Sequence, residues 1–228
     1  MLGQIKKNKK KEMKEDRLIT FYYKAITFFE EQKQKIFIGL GIVALAAVGL
    51  YFYSTQLAQK NEKANLELSR IFPLYEQGLF LEAIEGRPNT QLIGLRKIVE
   101  LYDGSENGEK AQVFLGNAYF FLGNFDEAMN AYEGYSGDNE FYRAAAIAGR
   151  AGVHESRNEL EKAAELFVKA STVSETNVLN PQYLINAGIN YLNLGNKQEA
   201  KELFDRIKKD YSNSVFAREI DRYLAIVQ

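Results

Sequence analysis

The 228 residues contain no Cys, no Trp, one His and three Pro, while Tyr and Phe supply 14 and 15 residues. Without Cys there is no disulfide, no thiolate metal site and no Cys nucleophile; sparse Pro and abundant aromatics suit an all-helical chain. The net charge of −1 hides an asymmetry: residues 1–35 hold ten Lys/Arg and five Asp/Glu, residues 36–53 hold neither, and residues 54–228 hold nineteen and twenty-five.

The first 35 residues form a basic tail: KKNKKK at Lys6–Lys11, then Lys14, Arg17, Lys24, Lys33 and Lys35. Within the tail, Leu18, Tyr22, Ala25, Ile26 and Phe29 recur at helical spacing, with Lys24 and Glu30 off that face. This amphipathic segment, 18–29, suits either an interfacial helix on lipid or a helix packed on a partner. Ile36 to Tyr53 reads IFIGLGIVALAAVGLYFY, with no charge and no polar face. At 1.5 Å per residue it is roughly 27 Å long, close to the hydrocarbon thickness of a bilayer. Lys33 and Lys35 border one end; Tyr51, Phe52 and Tyr53 border the other, where amphipathic rings favour the interface. The expectation is a single transmembrane helix over 36–53. A cleaved signal peptide would have a shorter charged start, a shorter apolar run and a small-x-small site after it. The basic flank predicts a cytoplasmic N-terminus; lysines beside a span are better explained by topology and anionic lipid than by nucleic acid. The Gly39, Gly41, Ala44 string lacks a preceding strand, so it does not read as a dinucleotide site. Its glycines fit close approach of another helix.

Residues 54–90 read as a connecting helix and loop: helix over 55–77, then a loop or short irregular insertion at Gly78–Asn89. From 91 to 228 the chain repeats itself. Leu115-Gly116, Tyr119, Gly123, Ala128 and Tyr132 are matched at identical spacing by Ala187-Gly188, Tyr191, Gly195, Ala200 and Phe204. A weaker copy holds Ala151, His154, Ala163, Phe167 and Ala170, and a degenerate one holds Gly94, Ile98 and Tyr102. The small residues at 94, 128, 163 and 200 are 34, 35 and 37 apart, the period of helix-turn-helix repeats. Small residues mark where antiparallel helices cross, and the aromatics fill the space beside them. Gly123 and Gly195 should end the first helix of each pair. Asn124 and Asn196 should cap the next, with Glu127 and Glu199 completing a capping box. Asn213–Val227 reads as a capping helix with Phe216, Ile220, Leu224 and Val227 on one face.

These residues resemble the tetratricopeptide repeat (TPR) superfamily, with three repeats over roughly 111–210. The expected fold is all-α: one N-terminal transmembrane helix followed by a TPR-type α-solenoid with a C-terminal capping helix. The whole layout, with LYEQGLFLEAIEG and the ending AREIDRYLAIV, is similar to YfgM-like membrane-anchored periplasmic TPR proteins of Bacteroidota type. That resemblance implies an ancillary inner-membrane subunit of the SecYEG translocon, single-pass, with a cytoplasmic N-terminus and a periplasmic TPR domain. The implied partners are the translocon, a PpiD-like chaperone and nascent secreted chains, besides the bilayer. The periodicity alone gives an anchored scaffold, which fits other envelope assemblies too: cytochrome maturation, cell-envelope coordination or another secretion system. The absence of a lipobox Cys speaks against an outer-membrane lipoprotein.

Nothing in the sequence calls for catalysis, a cofactor, a metal, a small-molecule substrate or nucleic acid. His154 has no HxxxH, HxxE or Cys beside it, and reads as a packed histidine in an aromatic position. Gly134–Asn139 lacks a calcium-loop ligand series and reads as an inter-repeat turn. The resemblance places the first helix of each pair along a groove. The candidate partner-binding residues are Val113, Asn117, Phe120, Phe121, Gln182, Ile185, Ile189, Leu192 and Asn193, above a low floor at Ala145, Ala148 and Gly152. Phe120, Phe121 and Leu192 fit equally well as packing between repeats. Val113 stands where a carboxylate clamp would need Lys.

Overall fold

The computed structural model describes residues 2–227, with side chains from Ile19 onward. The readings that rest on the side chains of Lys6–Lys11, Lys14, Arg17 and Leu18 therefore lie outside what is described. The chain divides into two compact units, Met1–Gln56 and Leu57–Gln228.

The first unit belongs to one helix, α1 (Leu2–Glu76). No Gly or Pro interrupts the sequence from Ile19 to Ile38, so nothing there breaks the helix. The aromatic segment 19–29 is thus continuous with the apolar run. Among the described residues, α1 is the one helix long and apolar enough to cross a membrane, and none of its most apolar 18-residue window is buried. Phe37, Ile38, Leu40, Ile42, Val43, Leu45, Leu50 and Tyr51 are all exposed. A soluble core helix hides such a surface, and the described chain does not cover this one.

The second unit is a stack of helix pairs. Pair one joins residues 57–76 of α1 to α2 (Phe80–Glu85) and α3 (Leu95–Tyr102). Pair two is α4 (Glu106–Phe121) with α5 (Phe125–Glu133). Pair three is α6 (Glu140–Ser156) with α7 (Leu160–Ser171), and pair four is α8 (Asn180–Asn193) with α9 (Lys197–Asp210). A 3-10 turn (Val215–Arg218) and α10 (Ile220–Ile226) close the stack. The expected single capping helix is therefore broken at Glu219, yet it covers the end as expected. Ile220 and Val227 are buried, with Phe216 and Leu224 packed beside them and Phe204.

One turn geometry recurs four times. The amide of Gly123 donates to Phe120 O at 2.9 Å, and that of Asn124 to Tyr119 O at 2.9 Å. The same two bonds link Gly78 and Leu79 to Tyr75 and Leu74, Asn158 and Glu159 to Glu155 and His154, and Gly195 and Asn196 to Leu192 and Tyr191. Each is a Schellman closure, which needs a positive φ at its hinge residue. Gly78, Gly123, Asn158 and Gly195 have φ of 76°, 78°, 60° and 81°.

This closure corrects the capping-box expectation. Neither Asn124 nor Asn196 makes a side-chain cap bond. Their backbone N–H groups are already spent on Tyr119 and Tyr191. Glu127 and Glu199 therefore find no free amide to accept from, and the reciprocal box does not form.

The hinge also fixes the repeat register. Five residues after each hinge stand Ala83, Ala128, Ala163 and Ala200, all with no exposed surface. The crossing residue of pair one is thus Ala83 rather than Gly94. Residues 86–94 interrupt the second helix of that pair and are pinned by a Gly86–Ile93 bridge. Gly94 instead precedes α3, where Leu95 and Ile98 are buried. The segment expected as a connecting helix and loop that leads into the first pair contributes Leu68, Ile71, Leu74, Ala83 and Ile84 to the first core cluster.

Small-to-aromatic contacts hold the pairs. A Cβ on Gly116 would sit 2.6 Å from the Tyr132 ring, and one on Gly188 would sit 2.4 Å from the Phe204 ring. Tyr132 is pressed from the next pair too, where a Cβ on Gly149 would come within 2.3 Å.

Candidate functional site

Counting back from the hinges shows which side chains share one face of the first helices. Six residues before stand Phe72, Asn117, Gly152 and Ile189; nine before stand Ser69, Phe114, Gly149 and Asn186. Thirteen before stand Asn65, Lys110, Ala145 and Gln182. None of these twelve is buried. Ten residues before stand Leu68, Val113, Ala148 and Ile185, of which all but Ala148 are buried.

The face changes character along the stack. Its N-terminal half is aromatic: Phe72 of α1 meets Phe114 of α4 edge-on at 5.1 Å, and Phe114 meets Tyr142 of α6 at 6.4 Å. The Lys110 ammonium lies over both the Phe114 ring (5.8 Å) and the Tyr142 ring (5.9 Å), an arrangement favoured by the ring quadrupoles. Asn65, Leu68, Ser69, Phe72, Pro73, Lys110 and Phe114 line a recess of about 320 Å³. The middle of the face has almost no side chain, at Ala145, Gly149 and Gly152. The C-terminal half carries amides, with Gln182 Nε2 donating to Asn186 Oδ1 at 2.9 Å.

The predicted site residues sort differently from the expectation. Val113 (3% exposed) and Ile185 (4% exposed) point into the core, not onto the face. Each of these two was placed one residue short of the face, and one residue is a 100° rotation on a helix, whereas Asn117, Gln182 and Ile189 fall on the face as expected. Phe114 and Asn186 occupy the places that reading gave them, and neither was among the predicted residues. Asn117 lies on the face, but its side-chain oxygen accepts from Tyr132 Oη at 2.7 Å. Burial pushes the Tyr75 phenol above its ordinary range, with a hydrogen bond from Asn117 opposing it. Phe120 packs on Phe125 at 5.6 Å between helices. Phe121 stacks on Phe80 at 4.8 Å and stays 61% exposed. Gln182, Ile189 and Leu192 are half-buried and Asn193 is exposed.

A second recess, of about 510 Å³, lies among Leu57, Glu106, Glu109, Tyr135 and Asp138. Its buried carboxylate, Glu109, accepts from the Ser136 amide at 2.7 Å and from Ser136 Oγ at 3.0 Å. That group ties down the inter-repeat turn. His154 Nδ1 is 3.0 Å from Glu159 Oε2. Lys162, and then His154, hold the Glu159 carboxyl below its usual range. Among the described residues no three His, Asp or Glu groups come together to hold a metal.

Residues 109–134 and 182–214 each match a tetratricopeptide-repeat family. These matches fall on pairs two and four, the two with Gly at the helix crossing. A comparison with curated proteins gave no match. Four stacked pairs, one shared turn closure and two family matches lead to one conclusion: the chain carries an all-α tetratricopeptide-repeat solenoid, the architecture of a protein–protein interaction scaffold.

Proposed function

We propose that the protein is a non-catalytic inner-membrane adaptor that works beside the Sec translocon. Residues 36–53 form the span, the basic tail over 1–35 stays in the cytoplasm, and the solenoid works in the periplasm. There it docks a PpiD-like chaperone or an emerging secreted chain. The observation that carries this reading is the joining of two open apolar surfaces in one chain: an uncovered helix over 36–53 and an aromatic face at Phe72, Phe114 and Tyr142. The first suits lipid and the second suits a polypeptide. Anchoring next to an exit site raises the local concentration of the solenoid, so weak groove contacts suffice.

The aromatic half of the face can seat apolar side chains, and the amides at Gln182 and Asn186 can pair with a ligand backbone. Extraction in mild detergent followed by purification of the full chain tests the assignment. Recovery of SecY and a PpiD-like chaperone supports it. Recovery of a different envelope assembly in their place favours a scaffold for that assembly.

A further inference from the structure

Pro73 sits inside α1, five residues before the first hinge. The equivalent residues of the other pairs are Ala118, Val153 and Asn190, each with no exposed surface, whereas Pro73 is exposed. Proline has no N–H, so Ser69 O lacks the helical bond it would accept from residue 73. Among the described residues no side chain takes that place, and Ser69 Oγ itself donates to Leu66 O at 2.7 Å. A backbone carbonyl in this state seeks a donor from outside its helix. Ser69 and Pro73 both line the recess of about 320 Å³ that the rings of Phe72 and Phe114 also line.

Lys110 is the one ionised group lining that recess, and the one among the twelve face residues. Among the described residues its ammonium has no carboxylate partner within 4.0 Å; its neighbours are the Phe114 ring at 5.8 Å and the Tyr142 ring at 5.9 Å. Ring faces attract the cation, but they do not replace an oxygen acceptor for its N–H donors. The recess thus combines a freed acceptor, an uncompensated cation and an aromatic lining.

We propose that the recess seats one Trp or Tyr ring of a partner polypeptide, with an Asp or Glu beside that ring in the partner's sequence. The inference rests on the reading of this face as a polypeptide-docking surface, and not on which assembly the partner belongs to. The volume, about 320 Å³, lies at the small end of ligand pockets and suits one large side chain. An aromatic lining favours a ring, through edge-to-face contact. Among Phe, Tyr and Trp, only Tyr and Trp carry a donor for Ser69 O, and both normally find a partner when buried. A Phe ring would cover the carbonyl and leave it unpaired, which is costly. A carboxylate next to the ring supplies Lys110 with a charge-assisted hydrogen bond. A Lys or Arg in its place meets like charge.

The chain has no Trp, so the emission of a Trp peptide reports on the recess without background. The full-length protein in nanodiscs of zwitterionic lipid is titrated with short peptides: Trp between two Asp, Trp between two Lys, and Phe between two Asp. Affinity is read from the anisotropy of dye-labelled peptides, and ring burial from the emission of unlabelled ones. The expected result is tightest binding and a blue shift with the Asp-flanked Trp peptide, neither seen with empty nanodiscs. Lys110→Gln should weaken that peptide several-fold and not weaken the Lys-flanked one. Pro73→Ala returns an N–H to Ser69 O, and should weaken the Trp peptide several-fold more than the Phe peptide. Lys169→Gln, exposed on α7, should change neither, and thermal melts of each variant separate lost binding from lost fold. Equal affinity for the three peptides, no effect of Lys110→Gln, or an equal loss for Trp and Phe in Pro73→Ala overturns the proposal. So does absence of peptide binding by a chain that still recovers envelope partners in mild detergent, a result that leaves the docking face standing.

Discussion

Tyr132 reaches across pair two to donate a 2.7 Å hydrogen bond to Asn117, while its ring fills the space left by Gly116 in its own pair and Gly149 in the next. One side chain thus joins two repeats and sets a residue of the candidate groove. Gly149→Ala and Gly116→Ala each force a methyl into that ring, and overpacking of this kind costs about 1–3 kcal/mol. Thermal melts followed by circular dichroism should show lower midpoints for both. Tyr132→Phe keeps the ring and loses only the hydrogen bond, a change of roughly 1 kcal/mol.

The hinge residues make a different prediction. A Cβ at Gly123 or Gly195 meets nothing within 4 Å, so only the positive φ resists substitution. Gly123→Ala should cost about 1–2 kcal/mol through backbone strain alone. Asn158 holds φ of 60° in the equivalent place. Asn158→Gly should be nearly neutral and Asn158→Ala destabilising, and chemical denaturation of the three variants compares them directly.

Buried phenols predict an alkaline limit. Burial raises Tyr132 far above its ordinary pKa of 10.0, and Tyr183 and Tyr75 in the same direction. A group whose folded pKa lies above its unfolded one contributes stability that is complete below the unfolded value. Here that contribution is lost as pH climbs past about 10, where the unfolded chain ionises first. The melting midpoint should fall steeply above that pH, and Tyr132→Phe should make the fall shallower.

The face and the core should separate in function. Phe121→Ser and Lys110→Ala change exposed or half-exposed groups and should weaken partner recovery while leaving the fold close to wild type. Val113→Ala removes two buried carbons, worth roughly 0.8 kcal/mol each before any cavity cost. It should lower stability yet keep partner recovery at a permissive temperature. Copurification and melting measured on the same preparations give both readouts.

Much of this architecture was legible in the chain. The match between 115–132 and 187–204 pairs Gly116 with Tyr132 and Gly188 with Phe204, and those are contacts in the structure. Gly123 and Gly195 announced their turns because few other residues hold a positive φ at low cost. Pair one was legible only as a degenerate copy phased on Gly94, because residues 86–94 interrupt its second helix and shift the phase after Ala83. Its crossing partner is Ile71 rather than a glycine. The caps at Asn124 and Asn196 misled because a side-chain pattern does not say where the backbone amide has already bonded. Val113 and Ile185 were read onto the groove, one residue from Phe114 and Asn186, for a related reason. A first helix in a solenoid packs on its own pair and on both neighbours, so Val113 and Phe114 look alike in an apolar pattern. The spacing back from the hinge separates them.

The central claim is that the face built by Phe72, Phe114, Asn186 and Ile189 holds a polypeptide of the export machinery. A photoreactive residue placed in living cells at Phe114 and at Ile189, with buried Val113 and outward Glu127 as controls, tests it most directly. The account predicts adducts with SecY, a PpiD-like chaperone or secreted precursors from the two face positions and not from the controls. Adducts only with lipid, or the same products from Glu127 as from Phe114, would contradict it.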